Sequence, residues 1–323
     1  MGVVELAGGV GGAKLAQGLQ AHLGPDLVVL VNTADDLERH GLLVCPDHDT
    51  VMYTLAGLDN RTLGWGIEDE TWTVSEWLAR YGEETWFRLG DRDLAAHIVR
   101  TARIRGGERL TDILRRLQLA LGVRAVILPM TDDPVRTEVR TTDGWLEFQE
   151  YFVHRHQEPA VHEVRFAGVE AAHPTSEVLA AIDEAALIVI APSNPIVSVG
   201  PILAVPGIRE RLLTRRAAGR PIVAVSGIIA GQALKGPADR MLASLGHESS
   251  ALGVARIYAG LVDGFVLDGQ DRDLAPAIEA LGMRVLVTDT IMTDDAGRAR
   301  LAGEVLAFAG RAEVTVPDAP ARA

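Results

Sequence analysis

Short aliphatic runs alternate with longer helical-period runs along most of the chain. Val3–Leu6, Leu27–Val31, Ala125–Leu128, Leu187–Ile190, Ile222–Val225 and Arg284–Val287 are brief and almost wholly apolar. That is the pattern of parallel strands covered on both faces. The spacing predicts helices over Ala13–Leu23, Leu94–Arg105, Leu110–Leu121, Ser176–Glu184, Ile208–Ala217, Ala251–Leu261 and Gly297–Ala309. This alternation predicts βαβ units and an α/β, Rossmann-like, doubly wound and mainly parallel sheet.

Two stretches break the pattern. Thr137–Thr142, the pair Asp143-Gly144 and Trp145–Val153 predict an antiparallel hairpin closed by a type I′ turn. Residues 57–93 are rich in Trp, Gly and Asp with weak periodicity, and predict an inserted helical part. The expectation is therefore one α/β domain over residues 1–316, with insertions near 57–93 and 137–166. The Pro/Ala-rich residues 317–323 are expected to fray.

Composition narrows the function. Of 323 residues, 48% are hydrophobic and 23% charged, which is globular composition. Thirty-one basic against 44 acidic residues give a net charge of −13. That argues against broad contact with nucleic acid or anionic membrane, yet a few local donors can still hold a small anion. Cys45 is the single cysteine, so no intrachain disulfide forms. With no signal-like start and no apolar run of ~18–20 residues, a cytoplasmic protein without membrane spans is expected.

Ligands of open α/β sheets sit beyond the carboxyl ends of the strands, so the residues following each strand carry the chemistry. After the first comes Gly8-Gly9-Val10-Gly11-Gly12-Ala13-Lys14. This is either a tight turn or a loop whose backbone approaches a phosphate at a helix N-terminus. It is neither a Walker A loop nor a dinucleotide fingerprint, because Ala13 precedes Lys14 and Lys14 stands where a third glycine belongs. Asn32-Thr33-Ala34-Asp35-Asp36 follows the second strand. Its paired carboxylates either bind Mg²⁺ or cap a helix. Asp47-His48-Asp49-Thr50 precedes an apolar run, where Asp49 is either a cap or a metal- or proton-handling group. Arg88-Leu89-Gly90-Asp91-Arg92-Asp93 is either a solvated ion cluster or a phosphate grip, with His97 one helical turn beyond Asp93. Ser193-Asn194 between prolines, Ser226-Gly227 and Lys235 complete the row. Together these loops predict a phosphorylated or nucleotide-like ligand held with Mg²⁺.

LAGGVGGAKLAQGL, VNTADD, HGLLVCPDHDTVMYTLAG, GWGIEDETW, FRLGDRDLAAHIVRT, LPMTDDPVRT, FQEYFV, APSNPIVSVGPILAVPGIR and LKGPADRM occur in this order from Val3 to Met292. This collinear set resembles the 2-phospho-L-lactate transferase family (CofD-type, including the bacterial phosphoenolpyruvate transferases). The resemblance implies a Mg²⁺-dependent transferase of coenzyme F(420) biosynthesis. It would move a phospholactyl or phosphoenolpyruvyl group from a guanosine diphosphate-linked donor to the deazaflavin Fo, releasing GMP. A homodimer is expected. On the matched motifs, Asp49, Arg88, Asp91 and Arg92 are expected on the Fo side, with Asp49 and Asp36 as catalytic carboxylates. Gly9, Gly11, Gly12, Lys14, Asn32, Ser193, Asn194, Ser226 and Lys235 are expected around the donor, and Asp35, Asp36 and Asp49 around the metal. Trp65 and Trp86 could wall a flat ligand, although buried core is the expectation for both. One departure stands out: where the family usually has VSPIIGG-like sequence, this chain has Gly227 and Ala230. A non-catalytic nucleotide-sugar-binding regulator on a similar core is the alternative reading.

Overall fold

The computed structural model describes residues 2–310, so the tail expected to fray over 317–323 lies outside the described residues. Seven strands form one parallel sheet: β1 (Val3–Ala7), β2 (Leu27–Val31), β3 (Val126–Pro129), β4 (Leu187–Ile190), β5 (Ile222–Val225), β6 (Gly264–Asp268) and β7 (Arg284–Thr288). Their order is β3-β2-β1-β4-β5-β6-β7. The chain winds outward from β1 to β3, then crosses back to build the other half from β4. The crevice between the carboxyl ends of β1 and β4 is thus the switch point at which doubly wound sheets take ligands.

The strands read as continuous apolar runs because successive side chains point to opposite faces and both faces are covered. Val4, Leu6, Leu30, Ile188, Ile190 and Ala224 enter one core. Val3, Ala7, Val29, Val31, Val189 and Val225 enter the other, beneath α1 (Gly9–Leu23) and the C-terminal helix Asp295–Phe308. Glu5 sits between Val3 and Ala7 on this second face, wholly buried, with neither carboxylate oxygen hydrogen-bonded. Burial pushes its pKa well above the carboxylate range.

Several expectations are corrected. The strand β6 is an addition to the expected six: its sequence GFVLD opens on glycine, and the helix expected to run to Leu261 ends at Ile257. In the hairpin, Arg136–Thr141 pairs with Gly144–Glu147, and Glu163–Ala167 adds a third antiparallel strand. The second strand does not reach Val153, because Glu150–His154 coils into a π-helical turn. The turn is not type I′. Thr141 pairs with Gly144, and of the turn residues only Gly144, at φ 102°, has a positive φ. The 57–93 segment contains one short helix, α3 (Thr73–Arg80), amid loops. The helix α2 (Pro46–Leu55) has Cys45 as its N-cap, so Asp47 and Asp49 lie inside its first turn and neither is the cap. The helices α4 (Asp91–Arg105) and α5 (Leu110–Ala120) follow the insertion.

Candidate active site

A cavity of about 610 Å³ opens at the switch point. The loop after β1 forms its floor. Gly8 N–H donates to Ser193 Oγ (3.2 Å), whose hydroxyl donates back to the Gly8 carbonyl (2.8 Å), so the loops after β1 and β4 are stitched together. Gly9 N–H donates to Asp47 Oδ1 at 2.8 Å, and Gly9 takes φ +63°. A Cβ on Gly11 would lie 2.3 Å from the Pro192 carbonyl oxygen, so only glycine fits that approach. Val10 and Gly11 line the cavity in the first turn of α1, where amides lack intrahelical acceptors and favour an anion.

Two buried carboxyls flank this floor. Asp47 Oδ2 accepts from Asn32 Nδ2 at 3.0 Å. Asp35 also lines the cavity, and its Oδ1 has no hydrogen-bond partner. Burial raises the pKa of both, and the Asp47 charge raises Asp35 further. Paired carboxylates with an orphaned oxygen, beside amides that favour an anion, suit a hard divalent cation bridging protein and phosphate. Asp49, Asp93 and His97 form another group, offering ligand atoms within 4.8 Å of one another. That group already holds a cation side chain: Arg100 Nη2 donates to Asp49 Oδ1 in a buried ion pair. Burial alone would raise Asp49, but the Arg100 guanidinium and the His48 hydrogen bond hold it well below the carboxylate range. Mg²⁺, which prefers oxygen ligands, therefore fits Asp35 and Asp47 better. The expected trio of Asp35, Asp36 and Asp49 is not such a group among the described residues.

The remaining walls come from the insertions. Trp65, Trp86, Phe87, Phe148 and Phe152 line the cavity, with Phe148 and Phe152 stacked at 5.5 Å. Trp86 is stacked on His154 at 4.9 Å with Arg39 over its ring. Trp65 is 40% exposed and is not the buried core expected of it, whereas Trp86 is half-buried and packs against Leu37, Val44, Leu89 and Leu94. Arg88 reaches the cavity while its guanidinium packs 4.1 Å from the Trp72 ring.

Of the other expected site residues, Gly9, Gly11, Asp49, Ser193, Asn194 and Lys235 line the cavity and several do not. Asp36 lies behind it, on a void of about 10 Å³ beside Arg136 and Thr137, and burial pushes its pKa up to about 7. It is not placed to act on a ligand. Lys14 is half-buried outside the cavity lining and donates to the Met292 carbonyl at 3.1 Å. Ser226 closes its own turn through Ile228, and Gly12 is packed against Ala7. Asn32 is buried beneath Asp47 and holds it rather than touching a ligand. Asp91 accepts from Thr71, Thr73 and Val74, and Arg92 donates to the Glu68 carbonyl, so both brace the insertion against α4. Tyr53, Phe148 and Phe152 were missed. Tyr53 stands one helical turn beyond Asp49, a signal present in the sequence. The phenylalanines were hidden by reading their segment as strand.

The 2-phospho-L-lactate transferase CofD family model matches residues 3–295. A phosphoenolpyruvate transferase of Kitasatospora aureofaciens is 43% identical over 317 residues, covering 96% of this chain and 98% of the relative. One of Streptomyces avermitilis is 46% identical over 319 residues, with the same coverage. A 2-phospho-L-lactate transferase of Methanosarcina acetivorans is 42% identical over 292 residues, covering 90% of this chain and 94% of the relative. In fold the chain is similar to a upf0052 family protein from Bacillus halodurans, at TM-score 0.61 and 16% identity, covering 94% of this chain and 98% of that one. The chain belongs to the CofD family as an enzyme of the 2-phospho-L-lactate or phosphoenolpyruvate transferase type.

Proposed function

We propose that the protein transfers a phospholactyl or phosphoenolpyruvyl group from a guanosine diphosphate-linked donor to the ribityl hydroxyl of deazaflavin Fo, releasing GMP. The step would belong to coenzyme F(420) biosynthesis. The carrying observation is one cavity that combines a carboxylate-flanked glycine floor with tryptophan and phenylalanine walls. The floor suits a diphosphate, and the walls suit a flat heterocycle.

Asp35 and Asp47 would hold Mg²⁺, which when bound neutralises charge on the donor diphosphate. The amides of Val10 and Gly11 and the Lys235 ammonium would address the same phosphates. Asn194 keeps its Oδ1 on the Ile196 and Val197 amides and leaves its amide nitrogen near Met241 Sδ, at the cavity wall, for a guanosine edge. In the transfer, the hydroxyl oxygen bonds to the phosphorus bearing the organic acid, the bond to the GMP oxygen breaks, and the hydroxyl proton leaves to a nearby acceptor. Phosphoryl transfer of this loose kind needs positioning and charge neutralisation more than a strong base. Asp49 fits that demand, because an ionised carboxylate held far below its usual pKa orients the hydroxyl rather than fully removing its proton.

The test is mass spectrometry of Fo incubated with protein, Mg²⁺ and each guanylylated donor in turn: phospholactyl, enolpyruvyl and phosphoglyceryl. Addition of one such group with release of GMP, abolished by excess EDTA, is expected. Unmodified Fo with every donor, or release of GDP, overturns the reading.

A further inference from the structure

Arg100 on α4 heads the largest side chains fully withdrawn from solvent, and its guanidinium joins three elements that meet beside the cavity. Its Nη1 donates to the Leu43 carbonyl at 3.1 Å, on the short strand Leu42–Val44. The same nitrogen lies 3.2 Å from Nδ1 of His97, one turn back on its own helix. Its Nη2 donates to Asp49 Oδ1 on α2. His48 Nδ1 approaches that oxygen too, at 3.4 Å. The second oxygen of Asp49, Oδ2, has no hydrogen-bond partner and lies 3.6 Å from His97 Nδ1. On the far side of the His97 ring, Nε2 is 3.3 Å from Asp93 Oδ1, which also accepts from the Tyr53 hydroxyl at 2.7 Å.

We infer that Arg100 is a positioning residue for the group transfer: its fork ties down Asp49 Oδ1 so that Oδ2 is the oxygen left to the acceptor hydroxyl. The inference rests on the transferase reading for the identity of that hydroxyl. The same contact fixes His97. Arginine only donates, so Nδ1 accepts and the ring proton sits on Nε2, which lies 3.3 Å from Asp93 Oδ1 without forming a hydrogen bond. One rigid planar group thereby sets the rotamer of a carboxylate and the tautomer of an imidazole on two different helices. Lysine carries the charge but presents a single point, and cannot span Leu43, His97 and Asp49 together. Burying such a pair is costly in desolvation, and an apolar pair of the same volume is often at least as stable. Its placement against the cavity gives the charge pair a use beyond stability.

The test is a double-mutant cycle of Asp49→Asn and Arg100→Met, with Arg100→Lys alongside, each measured for kcat and for KM of both substrates. Arg100→Lys is expected to lower kcat by about 10²-fold, the cost typical of a misplaced reacting group, with both KM values unchanged. The double variant is expected to be no slower than Asp49→Asn alone, since Arg100 acts only through Asp49 and its neighbour. Near-normal kcat in Arg100→Lys, or rate losses that multiply in the double variant, overturns the proposal. Arg100→Met alone strands a buried carboxylate and can fail to fold; the double variant removes both charges, and its comparison with Asp49→Asn decides the question without that single variant. A crystal structure of Arg100→Lys gives a readout independent of turnover. It should show the Asp49 carboxylate rotated, and an unmoved Asp49 overturns the proposal. If the wild type transfers nothing to Fo, the function reading fails by itself and this structure alone decides the role of Arg100.

Discussion

Lys235 Nζ donates to the carbonyl of Leu63 at 3.3 Å, joining two loops that both line the cavity. Gly64, at φ +78°, makes the approach close enough that a Cβ there would stand 2.1 Å from the same nitrogen. The ammonium is therefore held by a neutral carbonyl, a partner it can exchange for a phosphate at little loss.

Lys235→Ala should accordingly weaken the donor and spare the fold. A hydrogen bond to a charged group contributes about 1.5–3 kcal/mol, so the donor KM should rise ~10–100-fold with the melting temperature unchanged. Steady-state kinetics beside a thermal melt checks this. An unchanged donor KM would reduce Lys235 to a clasp between loops.

Asp49→Asn should lose both rate and stability. Its N-cap reading is excluded by Cys45, and its charge is paired with the buried Arg100. Removing one partner of a buried ion pair costs about 3–5 kcal/mol. The asparagine keeps an acceptor for Arg100, so the lower end is expected. The transfer rate should fall by ~10²–10⁴-fold, as for other groups in contact with a reacting proton. Full kcat in the folded variant would remove Asp49 from the chemistry.

Glu5→Leu should stabilise the protein, increasingly so at higher pH. The folded pKa of Glu5 lies above its unfolded value. The pH-dependent part of its burial cost is therefore absent below the unfolded pKa of about 4.3 and grows as pH rises toward the folded value, on top of the cost of burying an unpaired carboxyl. Asp35, Asp36 and Asp47 shift the same way, but they are present in both proteins and cancel in the difference. An unsatisfied buried polar group costs about 1–3 kcal/mol, which sets the expected gain. Denaturant melts at about pH 5 and pH 8 measure it, and a gap that narrows toward pH 8 contradicts the assignment.

Ala230→Gly should also stabilise. Ala230 sits at φ +48° with its N–H on the Asp271 carboxylate. A left-handed conformation costs an L-residue about 1–2 kcal/mol, of which glycine's greater unfolded-state freedom takes back part. A net gain near 1 kcal/mol in urea melts is expected, and a loss would show that the turn relaxes around alanine.

The sheet was legible because a strand buried on both faces writes itself as an unbroken aliphatic run: Leu27–Val31, Leu187–Ile190 and Ile222–Val225 stand where their sequences put them. Gly264–Asp268 was not, since glycine and aspartate at its ends mask the run. Among site residues, those in loops directly after strands, such as Gly9, Ser193 and Asn194, were readable because topology alone brings strand ends together. Asp36 and Lys14 were misplaced because neighbours in sequence on a turn or helix point in different directions, and spacing does not say which one faces the crevice. Arg100 and Tyr53 lie within segments that carry the resemblance, yet neither was singled out there. Their roles come from contacts between helices whose packing no local pattern reveals.

The placement of β1 has a consequence for synthesis. It is the earliest strand of the sheet in the chain and an interior one, paired to β2 within thirty residues yet to β4 only through Val3↔Leu187 and its neighbours. At ~5–20 residues per second, a translating ribosome needs on the order of 10–40 seconds between making β1 and making β4. Throughout that interval one edge of β1 has no native partner, and the Gly8–Ser193 stitch cannot close. The cavity floor is therefore not closed until more than half of the chain has emerged, and a ligand of that cavity can stabilise only molecules that have already joined β4 to β1.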